Sequence, residues 1–323
     1  MCKNIIEMLQ ERALNVLKTD SPKGFLFSPN YIAKKYRELF GIGENPNFDR
    51  AFEIVAFGQG NEIVKMNSLQ SSSLLSLLFF YPLFENTGNY IISDNVVYNK
   101  CFFEIKNKVV KFPSNVDILL CSEDKKKLLF LESKFTEYTK IKCDEEYGST
   151  YFSLYEKLKN HNVFPDYFSI ENGNNMKIHL KDGNRQYIEG IKQTISHIIG
   201  LFRGPYLPGK DQGAESKYLH SYKKYYDNAE EIIYSTILYN PLNNIEEKDF
   251  KKYSGLYNDI IINHRNEIIQ CVKDWKFLEN KELPGLKKNI IINDKILTYQ
   301  DLVTDNNKYV ESLPSKIRDF YNL

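Results

Sequence analysis

Residues 114 to 135 read SNVDILLCSEDKKKLLFLESKF, two apolar runs on either side of a short charged turn. Runs of that length, bounded by a polar cluster, predict a β-hairpin. Each run also carries charge where a buried strand should stay apolar. Strand alternation puts Asn115, Asp117 and Leu119 on one face of the first strand. It puts Leu128, Phe130, Glu132 and Lys134 on one face of the second. If the loop is centred between Asp124 and Lys125, Asp117 stands directly opposite Glu132, with Cβ atoms about 4.5–5.5 Å apart.

Two facing carboxylates repel unless a cation sits between them or one is protonated. Lys134 supplies one positive charge, and a divalent metal would supply the rest. Asp and Glu oxygens suit Mg²⁺, which keeps several waters and can hold a phosphate. Such an ion activates water and stabilises the charge of a phosphodiester transition state. The spacing Glu-x-Lys alone is uninformative, because it also starts at Glu104, Glu123, Glu215, Glu246 and Glu279. Glu132 differs in ending an apolar strand whose neighbour bears Asp117. The rival set, Asp94 with Glu104 and Lys106, begins in the turn-like ISDN. A second reading of the hairpin stays open, a surface ion-pair set on a half-exposed sheet. The flanking ILL and LLFL argue for burial, where uncompensated charge is costly.

Outward from the hairpin, residues 98–110 (YNKCFFEIKNKVV) read as a third strand. SSSLLSLLFFYP reads as a buried helix ended by Pro82. Residues 136–185 are polar and rich in Tyr and Asn, and read as an irregular insertion. An amphipathic helix follows through RQYIEGIKQTISHIIGLF, with Ile188, Ile191, Ile195, Ile198, Ile199 and Phe202 at helical spacing. Gln186, Gly190, Gln193 and His197 line its opposite stripe, a solvated polar face unless it meets the carboxylates; His197 reads as structural. EEIIYSTILY is a buried strand, and the rest is helical through Trp275, then a hairpin around NIIINDKILTY and a short terminal helix. The domain reading is a helical extension over 1–60, a core over 61–240, and a helical and hairpin extension over 241–323.

The chain of 323 residues carries 43 Lys+Arg against 42 Asp+Glu, which excludes a broadly basic coat of the kind that grips nucleic acid non-specifically. A local basic groove near Lys134, Lys140 and Lys142 remains open. The basic-aromatic runs KYLHSYKKYY (217–226) and KDFKKY (248–253) could reach phosphates and bases, or could be ordinary helix faces. The 5 cysteines are scattered, without a disulfide framework or a zinc-ligand spacing. The longest apolar run, SLLSLLFFYPLF, falls short of the ~20 residues a membrane span needs. A soluble, cytoplasmic protein is expected, with no membrane partner and no small-molecule cofactor.

With these residues in view, the chain resembles the PD-(D/E)XK nuclease superfamily, of restriction endonuclease-like fold, and within it a restriction-endonuclease subgroup. Asp117, fourteen residues, then Glu132-Ser133-Lys134 looks like its motif, although Val116 stands where the family has Pro. The resemblance covers about residues 60–240 and implies an α/β fold with an αβββαβ core, a central mixed sheet flanked by helices. It implies that Asp117, Glu132 and the Ser133 carbonyl bind Mg²⁺ (Mn²⁺ substituting) and that Lys134 is the catalytic lysine. It further implies an upstream acid, for which Glu62 is the choice, with Glu53 and Glu104 behind it, and a helix glutamine, Gln193. The expected function is Mg²⁺-dependent cleavage of DNA by a homodimer. The alternatives are a catalytically inactive nuclease-fold protein that binds nucleic acid, and an interaction protein whose charged hairpin is incidental.

Overall fold

The computed structural model describes residues 3–19, 26, 33–57, 62–84, 88–109, 113–135, 144–147, 154, 156–158, 168–171, 176–180, 189–207, 214–239, 255, 257–275 and 283–323. The hairpin is present as β3 (Ser114–Ser122) and β4 (Lys127–Lys134). Its turn is built by side chains. Asp124 Oδ1 accepts hydrogen bonds from Ser122 Oγ at 2.5 Å and from Lys126 N at 2.9 Å, and Lys125 takes the left-handed conformation, φ 64°. Every residue from Leu128 to Lys134 is buried, so β4 is a central strand rather than a half-exposed one.

Around the hairpin, β1 (Ile91–Ser93), β2 (Val96–Asn107), β3 and β4 pair antiparallel in that order. The chain returns to this sheet through β8 (Glu231–Leu238), which lies parallel to β4. Two segments, β9 (Asn289–Ile292) and β10 (Leu297–Thr298), lie parallel to β8 on its far side. The result is a mixed sheet of seven strands flanked by helices, an α/β architecture.

Among the described residues five α-helices precede the sheet: α1 (Lys3–Arg12), α2 (Ala33–Phe40), α3 (Pro46–Phe57), α4 (Glu62–Met66) and α5 (Ser72–Phe80). The N-cap of α5 is Ser71, whose hydroxyl accepts from Leu74 N at 3.0 Å. Pro82 then turns the chain into a short 3₁₀ segment. Helices α6 (Glu189–Arg203) and α7 (Ala214–Asn228) fill the crossover from β4 to β8. They cover one sheet face while α5 covers the other. Gly200 lets α6 approach β2 closely, since a Cβ there would lie 2.8 Å from Asn107 Cβ.

The C-terminal part comprises α8 (Arg265–Lys273), α9 (Tyr299–Asp305), α10 (Asn307–Ser312) and α11 (Ser315–Tyr321). Here the structure corrects two expectations. NIIINDKILTY is not a hairpin, because both segments spend their hydrogen bonds on β8, whose far edge would otherwise be bare. The single terminal helix is three, the first closed by a capping box between Thr298 and Asp301. This part also meets the beginning of the chain, where Arg12 Nη1 donates to Tyr239 Oη and to the Phe320 carbonyl, both at 3.2 Å.

The insertion at 136–185 is not wholly irregular. Strands β5 (Asp144–Tyr147), β6 (Phe168–Glu171) and β7 (Met176–Leu180) form a second antiparallel sheet, ordered β5-β7-β6. Lys140, Lys142 and the run 248–253 lie outside the described residues. No described helix is long and apolar enough to cross a membrane.

Candidate active site

The β3–β4 register pairs Cys121 with Leu128 and runs to Ile118 with Leu131. One more step would pair Asp117 with Glu132, and the ladder stops there. Asp117 Oδ2 instead accepts the Ser133 backbone N–H at 2.7 Å, so a side chain takes over a ladder bond where the strands part. On the other side of β3, Phe103 pairs with Ile118 and Ile105 with Val116. Glu104 is therefore level with Asp117, in the left-handed conformation with φ 49° and buried. Three acids thus stand level across three adjacent strands.

Helix α6 completes the site. It runs antiparallel to β4, as a crossover between two parallel strands must. Four helical residues advance about 6 Å, and two strand residues advance about 6.6 Å. Residues four apart on α6 can therefore meet residues two apart on β4. Lys134 Nζ donates to Gln193 Oε1 at 2.6 Å and to Glu132 Oε1 at 2.7 Å. One helical turn on, His197 Nε2 lies 3.1 Å from Glu132 Oε2. That approach is off the line of a hydrogen bond, which leaves Glu132 Oε2 buried without an aligned donor. The other ring nitrogen, Nδ1, is hydrogen bonded to Ser114 Oγ.

Glu132 and Lys134 are buried, while Asp117 retains partial exposure. The electrostatics separate the two carboxyls. Burial pushes Asp117 well above the usual carboxylate range, and the Glu132 charge adds to this; Lys134 and the Ser133 N–H only partly oppose it. Burial also disfavours the Glu132 carboxylate, but Lys134 and His197 outweigh it and hold Glu132 below its ordinary value. The arrangement carries an acid poised to keep its proton beside one held ionised.

Of the residues singled out in the sequence, Asp117, Glu132, Ser133, Lys134 and Gln193 come together here. Glu62 opens α4, and its side chain lies outside the described residues. Glu53 is exposed on α3. Of the three upstream acids considered, Glu104 is the one that the register brings level with Asp117. His197, read from sequence as structural, touches Glu132 directly; its position one helical turn after Gln193 was the signal that could have found it.

Three of the four tyrosines in the run 217–226 face inward, and Tyr225 is partly buried. Tyr218, Tyr222 and Tyr226 of α7 are buried, and their hydroxyls go to the Phe103 carbonyl, Asn107 Oδ1 and the Leu201 carbonyl. Their rings are spent on packing, with Lys217 and Lys224 left outward.

Below the sheet, Ser133 Oγ and Tyr299 Oη are 2.8 Å apart, and Ser76 Oγ is 3.3 Å from the same phenol. Among the described residues three free thiols, Cys101, Cys121 and Cys271, are buried elsewhere. Among the described residues no group of three or more His, Cys, Asp or Glu is arranged to hold a metal by side chains alone. Compared with known protein families, with curated proteins and with solved structures, the chain matches none.

Proposed function

We propose that this chain is a Mg²⁺-dependent DNA endonuclease of the PD-(D/E)XK superfamily, acting as a homodimer because cutting two strands needs two sites. The observation that carries the reading is the parting of β3 and β4 at Asp117 and Glu132, with the Lys134 ammonium 2.7 Å from Glu132. The strand order β2-β3-β4-β8, with β3 alone reversed, supports the restriction endonuclease-like core.

The residues fit a small hard cation. Glu132 Oε2 is buried without an aligned donor, and Asp117 has one oxygen outside its bond to Ser133 N. Asp117, Glu132 and the Ser133 carbonyl would hold the ion, completed by water, so two carboxylates suffice where a side-chain-only site needs three. When bound, Mg²⁺ supplies an activated water and charge stabilisation at the phosphate. Lys134 brings a fixed positive charge to the same face, where it favours the extra negative charge of the transition state. Gln193 fixes the direction of that ammonium. His197, anchored by Ser114, keeps the Glu132 carboxylate ionised.

Plasmid and single-stranded DNA incubated with Mg²⁺ or Mn²⁺ provide the test. Metal-dependent cutting that disappears in Lys134→Ala is expected; no cutting by the wild type, or equal cutting by that variant, overturns the enzyme reading. A second reading, an inactive nuclease-fold protein that binds nucleic acid, is favoured by the absence of a three-ligand side-chain group among the described residues. It predicts DNA retention in a gel-shift assay with no product at any metal concentration.

A further inference from the structure

We propose that Lys134 occupies the place of the metal's charge in the resting site, and that Gln193 is the perch onto which it withdraws when the ion enters. The inference rests on the metal-site reading above and extends it to how the site is loaded.

The argument starts from burial. Glu132 and Lys134 both lie deep in the molecule, with side chains 5% and 7% exposed. Asp117 faces Glu132 across the parting strands. A buried pair of acids without a counter-charge is unfavourable, and the Lys134 ammonium provides one at 2.7 Å from Glu132 Oε1. A divalent ion bound between Asp117 and Glu132 would bring a second cation against that ammonium. Like charges at such range repel strongly in a buried site, so the lysine must leave Glu132 for the metal to bind well. It need not leave the site, because the same Nζ already donates to Gln193 Oε1 at 2.6 Å. Gln193 is neutral and sits on α6, holding from the other element the same ammonium that Glu132 holds. Moving to it keeps a positive charge within reach of a bound phosphate while clearing the metal position. Gln193 is thus a positioning residue for Lys134.

This predicts opposite effects from the two sides of one hydrogen bond. Lys134→Gln removes the competitor, so Mn²⁺ should bind at least tenfold more tightly at pH 8 even though cleavage is lost. Gln193→Leu removes the perch and leaves Lys134 on Glu132, so Mn²⁺ should bind severalfold more weakly. Free Mn²⁺ measured by electron paramagnetic resonance against each protein reads affinity without reference to cleavage. Wild-type binding with no tightening in folded Lys134→Gln overturns the inference and leaves the nuclease reading standing. No Mn²⁺ binding by any of the three proteins overturns both. If Lys134→Gln does not fold, Gln193→Leu decides alone: affinity equal to or tighter than the wild type overturns the proposal.

Discussion

The two faces of one strand end show different solutions to the same problem. On the α6 side of β4, Glu132 and Lys134 are charged, buried and met by Gln193 and His197. On the opposite side Ser133, one residue between them, is neutral and closes a short hydroxyl chain with Tyr299 and Ser76. The neutral face satisfies itself with its own donors and acceptors. The charged face does not: it leaves Glu132 Oε2 without an aligned donor and Asp117 reluctant to ionise. The neutral face is closed by its own hydroxyls, whereas the charged one keeps an unmet requirement of the kind on which the proposed metal site rests.

That contrast can be broken first at the acid. Asp117→Ala should reduce plasmid cleavage below detection while the circular dichroism spectrum stays that of the wild type. Loss of soluble protein instead would make both faces structural.

A pH series sharpens the comparison. Because the folded-state pKa of Asp117 is raised, the native protein keeps a proton that the unfolded chain gives up. Its contribution to stability is therefore complete below the ordinary Asp value and is lost as pH rises toward the raised one. Asp117→Asn removes that loss, so in metal-free buffer the variant should gain on the wild type by up to ~1.4 kcal/mol per pH unit. Urea midpoints at pH 5, 6, 7 and 8 measure it; a constant difference would show that Asp117 is ionised in the apoprotein. Gly200→Ala should push α6 off β2 and cost ~1–3 kcal/mol by overpacking, with cleavage falling because Gln193 and His197 ride on that helix. Thermal melts read the first effect, and cleavage assays at a temperature where the variant is folded read the second. The smallest effect belongs to the neutral face. Tyr299→Phe should cost ~1 kcal/mol in urea unfolding and change Mn²⁺ affinity by less than twofold, in contrast to Gln193→Leu.

Much of this site was legible because strand alternation has a strict period. Once SEDKK is read as the turn, the opposition of Asp117 and Glu132 follows, and the register runs up to that point. The Gln193 stripe was legible for the same reason on a helix. What sequence missed depended on partners distant in the chain. His197 looks like any polar-stripe residue until α6 is laid across β4. The tyrosines of α7 look like a nucleic-acid surface until β2 is placed beneath them. The pairing of NIIINDKILTY cannot be read locally either, because its partner, β8, begins more than fifty residues earlier. Glu104 is a related case. It is named from sequence behind Glu62 and Glu53, and only the β2–β3 register brings it level with Asp117.

The far side of β8 has a consequence for the order in which the protein is made. The strand beside the carboxylates is bounded on that side by residues 289–298, and Arg12 is tied to Phe320 near the other end of the sequence. Before residues 289–298 have been made, the hairpin and its helix can already have formed, with one long row of backbone donors and acceptors uncovered. Such a row invites pairing with a neighbouring chain. The emerging polypeptide would then be most exposed to aggregation between the emergence of β8 and that of residues 289–298, and chaperone capture should peak just before residue 298 clears the exit tunnel.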